Sequence, residues 1–95
     1  MAVECIVDEW GDKSWIDNGK FHRTDGPAVE RISGSKFWFV NGQRHRIDGP
    51  AVEYASGYYA WYINDVRYDD INDFCEAAGI TGMQKTLFLL THTGN

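Results

Sequence analysis

Three short apolar runs, Trp15-Ile16, Phe37-Trp38-Phe39-Val40 and Trp61-Tyr62-Ile63, each stop at an asparagine or one residue before it, and apolar and polar residues resume on its far side. Asn18-Gly19 and Asn41-Gly42 between such runs predict two-residue hairpin turns of type I′, because both central positions need positive φ. The turn sets a register. Val40 lies opposite Gln43, Phe39 opposite Arg44 and Trp38 opposite His45; by the same count Trp15 lies opposite His22, and Trp61 opposite Tyr68 if Asn64-Asp65 turns likewise.

The pattern is a repeat. Trp15, Trp38 and Trp61 stand 23 residues apart (38 − 15 and 61 − 38), as do Asn18, Asn41 and Asn64, and "HRTDGPAVE" at 22–30 returns as "HRIDGPAVE" at 45–53. Unit one runs from Trp15 to Phe37 and unit two from Trp38 to Ala60. The third is truncated: Asp65 replaces the glycine, Tyr68 the histidine, and the DGPA segment is missing, as befits a terminal cap.

A second turn falls at Ser33-Gly34 and Ser56-Gly57. Read as two-residue loops, these pair Val29 with Trp38 and Val52 with Trp61. One face then carries Trp15, Trp38, Trp61, Val29, Val52, His22, His45 and Tyr68, the other Ile16, Phe39, Tyr62, Phe21, Arg44 and Arg67. His45 and Val52 are seven positions apart, so strict alternation would separate them and something between must reset the parity. Asp48-Gly49-Pro50, like Asp25-Gly26-Pro27, is suited to a bulged corner, since glycine permits the bulge and proline cannot donate to a ladder.

From Asp69 the alternation is lost. DDINDFCEAAGI reads as a short helix with acids in its first turn and Gly79 beyond its end, and Thr81-Gly82-Met83-Gln84 fits the capping box of a second. The expected fold is α+β: one domain over 1–95, an antiparallel β-meander of 23-residue hairpin repeats at 15–68 following an N-terminal strand region at 1–14, with a helical tail at 69–95 packed on the sheet. Two short helices cover one face. The other, rich in aromatics, is left for an interface, and self-association as a homodimer is expected there.

Charge narrows the partners. Nine Lys and Arg against fourteen Asp and Glu give a net charge of −5, which disfavours holding a phosphate backbone. An acidic surface suits solubility, a basic protein partner, or imitation of a nucleic acid's charge. Asp8, Glu9, Asp69, Asp70 and Asp73 are the residues for such mimicry, although helix starts and turns carry acids routinely. Cys5 and Cys75 fit no metal or redox spacing and read as reduced and packed. The N-terminal MAVECIVDEW lacks the basic start of a secretory signal, and no run of about eighteen apolar residues occurs, so a cytoplasmic protein without membrane contact is expected.

The HRxD element is the one cluster resembling a catalytic set, with His22 or His45 as base, Asp25 or Asp48 as its orienting carboxylate and Arg23 or Arg46 as anion clamp. Its repetition argues for structure, because a catalytic pocket needs one asymmetric constellation and a corner is needed in every unit. In the structural reading the histidines partner the tryptophans, the arginines lie across the strands with Phe37 opposite Arg46, and the aspartates hydrogen-bond the corner backbone. Trp15, Trp38, Trp61, Asp25, Asp48, Gly26, Gly49, Pro27 and Pro50 then belong to the scaffold. His22, His45 and His92 have no metal-ligand spacing, the usual enzyme motifs are absent, and neither enzymatic activity nor a cofactor is expected. Binding falls to the aromatic face, where Phe39, Tyr58 and Tyr62 sit beside Arg44 and Arg67, with Asp70 and Asp73 at the helix start. The alternative is a nucleotide or other small anion sequestered by His22, Arg23, His45 and Arg46.

The pattern WxxNGxxHRxDGPAVExxxG resembles a repeat of small proteins of tailed bacteriophages and some bacteria, distantly similar to MORN-type hairpin repeats. Residues 15 to 68 match it. The resemblance implies a β-meander and a phage or phage-related origin, and brings no catalytic residue with it. Small acidic phage proteins of this kind commonly disable a bacterial host protein, including nucleases and other defence complexes, as anti-CRISPR proteins do. It therefore implies an inhibitor working in the host cytoplasm. The degenerate third unit and the helical tail depart from the pattern.

Overall fold

The asparagine turns form as their residues require. In the computed structural model, which describes residues 3–92, φ is 52° and 77° at Asn18-Gly19, 52° and 81° at Asn41-Gly42, and 48° and 69° at Asn64-Asp65. Positive φ at both positions is the type I′ geometry, whose twist matches the strands it joins. Residues 1–2 and 93–95, the ends of the expected strand region and helical tail, lie outside the described residues.

The strands are β1 (Glu4–Val7), β2 (Lys13–Asp17), β3 (Lys20–Phe21), β4 (Val29–Glu30), β5 (Lys36–Phe37), β6 (Phe39–Val40), β7 (Gln43–Arg44), β8 (Val52–Glu53), β9 (Tyr59–Ile63) and β10 (Val66–Tyr68), followed by α1 (Ile71–Ala78) and α2 (Gly82–His92). The fold is α+β, and the strand pairs are antiparallel. The main sheet runs β1-β2-β4-β5-β8-β9-β10, with β3 also on β2 and β6-β7 as a separate hairpin. β3 pairs with Ile16 and Asp17 of β2, and β4 pairs with Lys13 and Ser14 of the same strand. The chain thus passes twice along one side of β2, and residues 22–28 bow out between. One unit later β7 and β8 repeat the relation on β6 and β5.

The first-turn register is the expected one: Phe39 faces Arg44, Val40 faces Gln43 and Tyr68 faces Trp61, while His22 and His45 donate their amides to the carbonyls of Trp15 and Trp38. The second turn differs. Arg31 N–H reaches Ser35 O at 2.9 Å and Gly34 N–H reaches Arg31 O at 2.9 Å, with Gly34 at φ 104°. Tyr54, Gly57 and Tyr58 repeat this arrangement, with Gly57 at φ 99°. The loop is therefore three residues, a turn closed by glycine in a positive-φ bulge, and not two. Val29 consequently faces Phe37, and Val52 faces Ala60. A one-residue slip exchanges faces: Val29 and Val52 lie on the side of Phe39 and Tyr62, away from the tryptophans. His45 and Val52 are on opposite faces after all, so the parity conflict is removed by the turn and the DGPA corner has another task.

The first helix of the tail is capped as its sequence predicts. The Asp70 carboxylate accepts from the Asn72 amide at 2.7 Å, and Gly79 ends α1 at φ 78°. Phe74, at 0% exposure, joins Trp61 and Ile63 in the core, with Tyr68, Ile71, Ala78, Ile80 and Phe88 packed against them. The helices cover only the third unit, less than the full face expected, because together they supply few turns. Cys75 is buried, which pushes its thiol pKa up, whereas Cys5 is exposed on β1 in contrast to the packed position expected.

His92 closes this cluster, 5.3 Å from the Trp61 ring and 4.3 Å from Phe88. Burial, reinforced by Arg46, lowers its pKa from the ordinary 6.5 against the opposing pull of Asp48 and Glu53, and Arg67 and Asp69 lie across the adjoining hollow. A histidine with a lowered folded-state pKa binds fewer protons folded than unfolded, so its contribution to stability is complete above pH 6.5 and declines as pH falls through the folded value. Denaturation of the wild type and of His92→Phe at pH 7.5 and 5.5 should show the wild type losing more stability on acidification. Equal losses would show that His92 does not carry the effect.

Candidate functional site

Each HRxD corner is built around its arginine. The Arg23 guanidinium lies 3.9 Å over the Trp15 ring, and Nε donates to Asp25 at 3.0 Å. Its Nη1 reaches Pro27 O at 3.1 Å and Glu30 at 3.3 Å. Arg46 repeats the set on Trp38 at 3.9 Å, with Asp48 at 2.9 Å, Pro50 O at 3.0 Å and Glu53 at 3.1 Å. Arg46 thus lies on the tryptophan rather than opposite Phe37, whose partners are Val29 and Val52. The aspartates accept from the arginines in place of the corner backbone. The glycine is required by close approach: a Cβ on Gly26 would come 2.9 Å from Arg23 Cζ, and one on Gly49 2.6 Å from Arg46 Cζ. Pro27 and Pro50 present the carbonyls. Glu30 and Glu53, the last letter of each motif, are scaffold residues that sequence reasoning passed over, although their fixed spacing from the arginine was visible.

The histidines tie one unit to the next. Asn41 N–H donates to His22 Nδ1 at 3.0 Å, and Asn64 N–H to His45 Nδ1 at 3.1 Å. An accepting Nδ1 places the ring proton on Nε2. The third unit has no fourth turn to hold, and there Tyr68 packs edge-on against Phe74 at 6.3 Å. Asp69 stands at the equivalent of Arg23 and Arg46, and Trp61 is covered instead by Phe74 at 4.7 Å and Phe88 at 5.8 Å. The helices therefore replace the arginine clamp in the last unit.

Of the anion-pocket residues, Arg23, His45 and Arg46 share a hollow of about 620 Å³ between the corners, and His22 lines a neighbouring one. Asp25 and Asp48 line the same space. One arginine against one aspartate and one glutamate leaves each corner with a surplus negative charge, which works against an anion.

The face opposite the tryptophans gathers the interface candidates. Phe39, Arg44, Tyr58, Tyr62 and Arg67 line a hollow of about 480 Å³ together with Phe37, Val52 and Tyr54. Arg44 lies 4.3 Å over the Tyr62 ring and is held by Asp65 at 2.7 Å, which raises the arginine's pKa and lowers that of the aspartate. Arg67 donates to the Tyr58 hydroxyl at 2.7 Å and to Asp69 at 3.0 Å, and its pKa is raised chiefly by the tyrosine. Phe21 and Phe39 are 5.3 Å apart, Phe37 and Tyr54 5.7 Å, and Tyr54 and Tyr58 5.7 Å. Val52 and Tyr54 were not singled out because the turn was read one residue too short; the three-residue loop brings Val52 to this side, where Phe37, two residues from Phe39, lies in either register. Asp70 and Asp73 lie elsewhere, in the cap and first turn of α1.

Among the described residues no group of three His, Cys, Asp or Glu is arranged to hold a metal ion, and no helix is long and apolar enough to cross a membrane. No protein-family model, curated protein or solved structure matches the chain.

Proposed function

We propose that the protein is a non-enzymatic binding module that inhibits a bacterial host protein, a nuclease or other defence complex in the manner of an anti-CRISPR protein, by occupying its surface with the aromatic face. One observation carries the binding: Phe39, Tyr58 and Tyr62 with Arg44 and Arg67 wall a single hollow on the sheet, to whose lining neither helix contributes among the described residues. Tyrosine and arginine are residues that anchor protein interfaces. Here Asp65 holds Arg44 over the Tyr62 ring, and Arg67 donates to both the Tyr58 hydroxyl and Asp69, so both guanidinium groups are already oriented before binding. The bacterial target and its cytoplasmic setting come from the resemblance of the repeat to phage proteins.

The test is affinity capture from bacterial lysate with tagged wild type and with Phe39→Ser/Tyr62→Ser, the variant being checked for a cooperative melt, and with the exposed Tyr58→Ala as a milder companion. The expected result is one stoichiometric host protein retained by the wild type, lost with the double variant and weakened at least about tenfold by Tyr58→Ala. Capture of no protein, with an anion released when the purified chain is denatured, would instead favour sequestration between the HRxD corners.

A further inference from the structure

The two helices differ in what they present to water. α1 buries Phe74 and Cys75 and exposes Asn72, Asp73 and Glu76, the usual division of an amphipathic helix. α2 has no fully buried residue. It half-buries Lys85, Phe88, Leu89 and His92, yet leaves Met83, Leu87 and Leu90 at 74%, 58% and 61% exposure. Steps of four and three place those last three on one stripe, on the side of the helix away from Trp61. Gln84, Thr86 and Thr91 flank it, so the outward side carries no charge in a chain whose net charge is −5.

We propose that this stripe is a self-association surface, covered by α2 of a second copy lying antiparallel across it. A helix apolar on two opposite sides is stabilised further when the second is covered as well, and an apolar stripe left in water marks a contact surface. The missing charge selects the occupant, since a charged segment would leave its charges unanswered against hydrocarbon, whereas a second copy brings the same uncharged stripe. The contact is isologous: Met83 of one copy meets the partner's Leu90, the reverse holds on the other side, and the two Leu87 side chains meet near the two-fold axis. Three apolar anchors on an eleven-residue helix fall short of the roughly 800 Å² per partner of a stable interface. The dimer therefore exchanges with monomer at micromolar concentrations, and added salt tightens it by screening the two acidic bodies. The proposal is independent of the aromatic-face reading and leaves that face free.

Sedimentation velocity on the full chain, from about 5 to about 500 µM, reads this association directly. The wild type is expected to shift from monomer to dimer, more readily at high salt. Leu87→Glu and Leu87→Lys, each with an unchanged circular dichroism spectrum, should remain monomeric, and an equal mixture of the two should recover the dimer through opposite charges at the axis. If a charged variant fails to fold, Leu87→Gln takes its place, with an expected weakening of at least about tenfold. A wild type that stays monomeric throughout, Leu87 variants that dimerise unchanged, or a dimer lost only with Tyr62→Ser would each overturn the proposal.

Discussion

Phe74→Ala is expected to cost about 3–5 kcal/mol, the range for deleting a buried aromatic ring and leaving its cavity. The ring is fully buried and stands 4.7 Å from Trp61, 5.9 Å from Phe88 and 6.3 Å from Tyr68, so it joins α1, α2 and the third hairpin at one point. No neighbouring side chain can refill the space without undocking a helix. For a domain of this size each kcal/mol corresponds to roughly 4–8 °C, and the melting point should fall by more than about 12 °C. Denaturant titration followed by circular dichroism and tryptophan fluorescence measures it. A loss under about 1 kcal/mol would mean that the tail merely shields Trp61 and is not part of the core.

Arg46→Ala is expected to cost about 3 kcal/mol, because one side chain makes charge-assisted hydrogen bonds, each worth about 1.5–3 kcal/mol, and a partly desolvated cation–π contact of about 1–2 kcal/mol, contributions that do not add fully. Its loss strips Glu53, Asp48 and the Pro50 carbonyl of their donor and uncovers Trp38. Arg46→Lys should recover less than half of this, since an ammonium cannot reproduce the planar fork. Gly49→Ala should act in the same direction, its methyl taking space the guanidinium occupies. Arg44→Ala is the control: it removes the same charge from a pair with side chains 40% and 44% exposed and should cost no more than about 1 kcal/mol. Equal losses at Arg44 and Arg46 would show that charge count, and not the clamp, carries the effect.

The clamp also shows what each HRxD side chain is engaged with, which its linear order leaves open. His, Arg and Asp at that spacing suit a base, a clamp and an orienting acid. What assigns them is the residue each one meets: the arginine its own unit's tryptophan and glutamate, the histidine the next unit's turn. Such partners lie seven to nineteen residues apart, beyond what local pattern conveys.

Residues whose backbone preference is intrinsic determined their own structure. Asn-Gly made the hairpins and their register, Asp70 and Gly79 bounded the first helix, and the 23-residue spacing made the units equivalent, because positive φ and cap geometry are properties of a few adjacent residues. Tertiary structure decided the rest. Ser33-Gly34 permits a loop of two or three residues, and pairing along the neighbouring strands selected three, which carried Val29 and Val52 to the aromatic side. Likewise, nothing adjacent to Trp61 states that Phe74 and Phe88 cover it where Trp15 and Trp38 have an arginine. Side-chain covering is settled by which surfaces remain apolar once the whole chain has folded, and no short stretch of sequence holds that information.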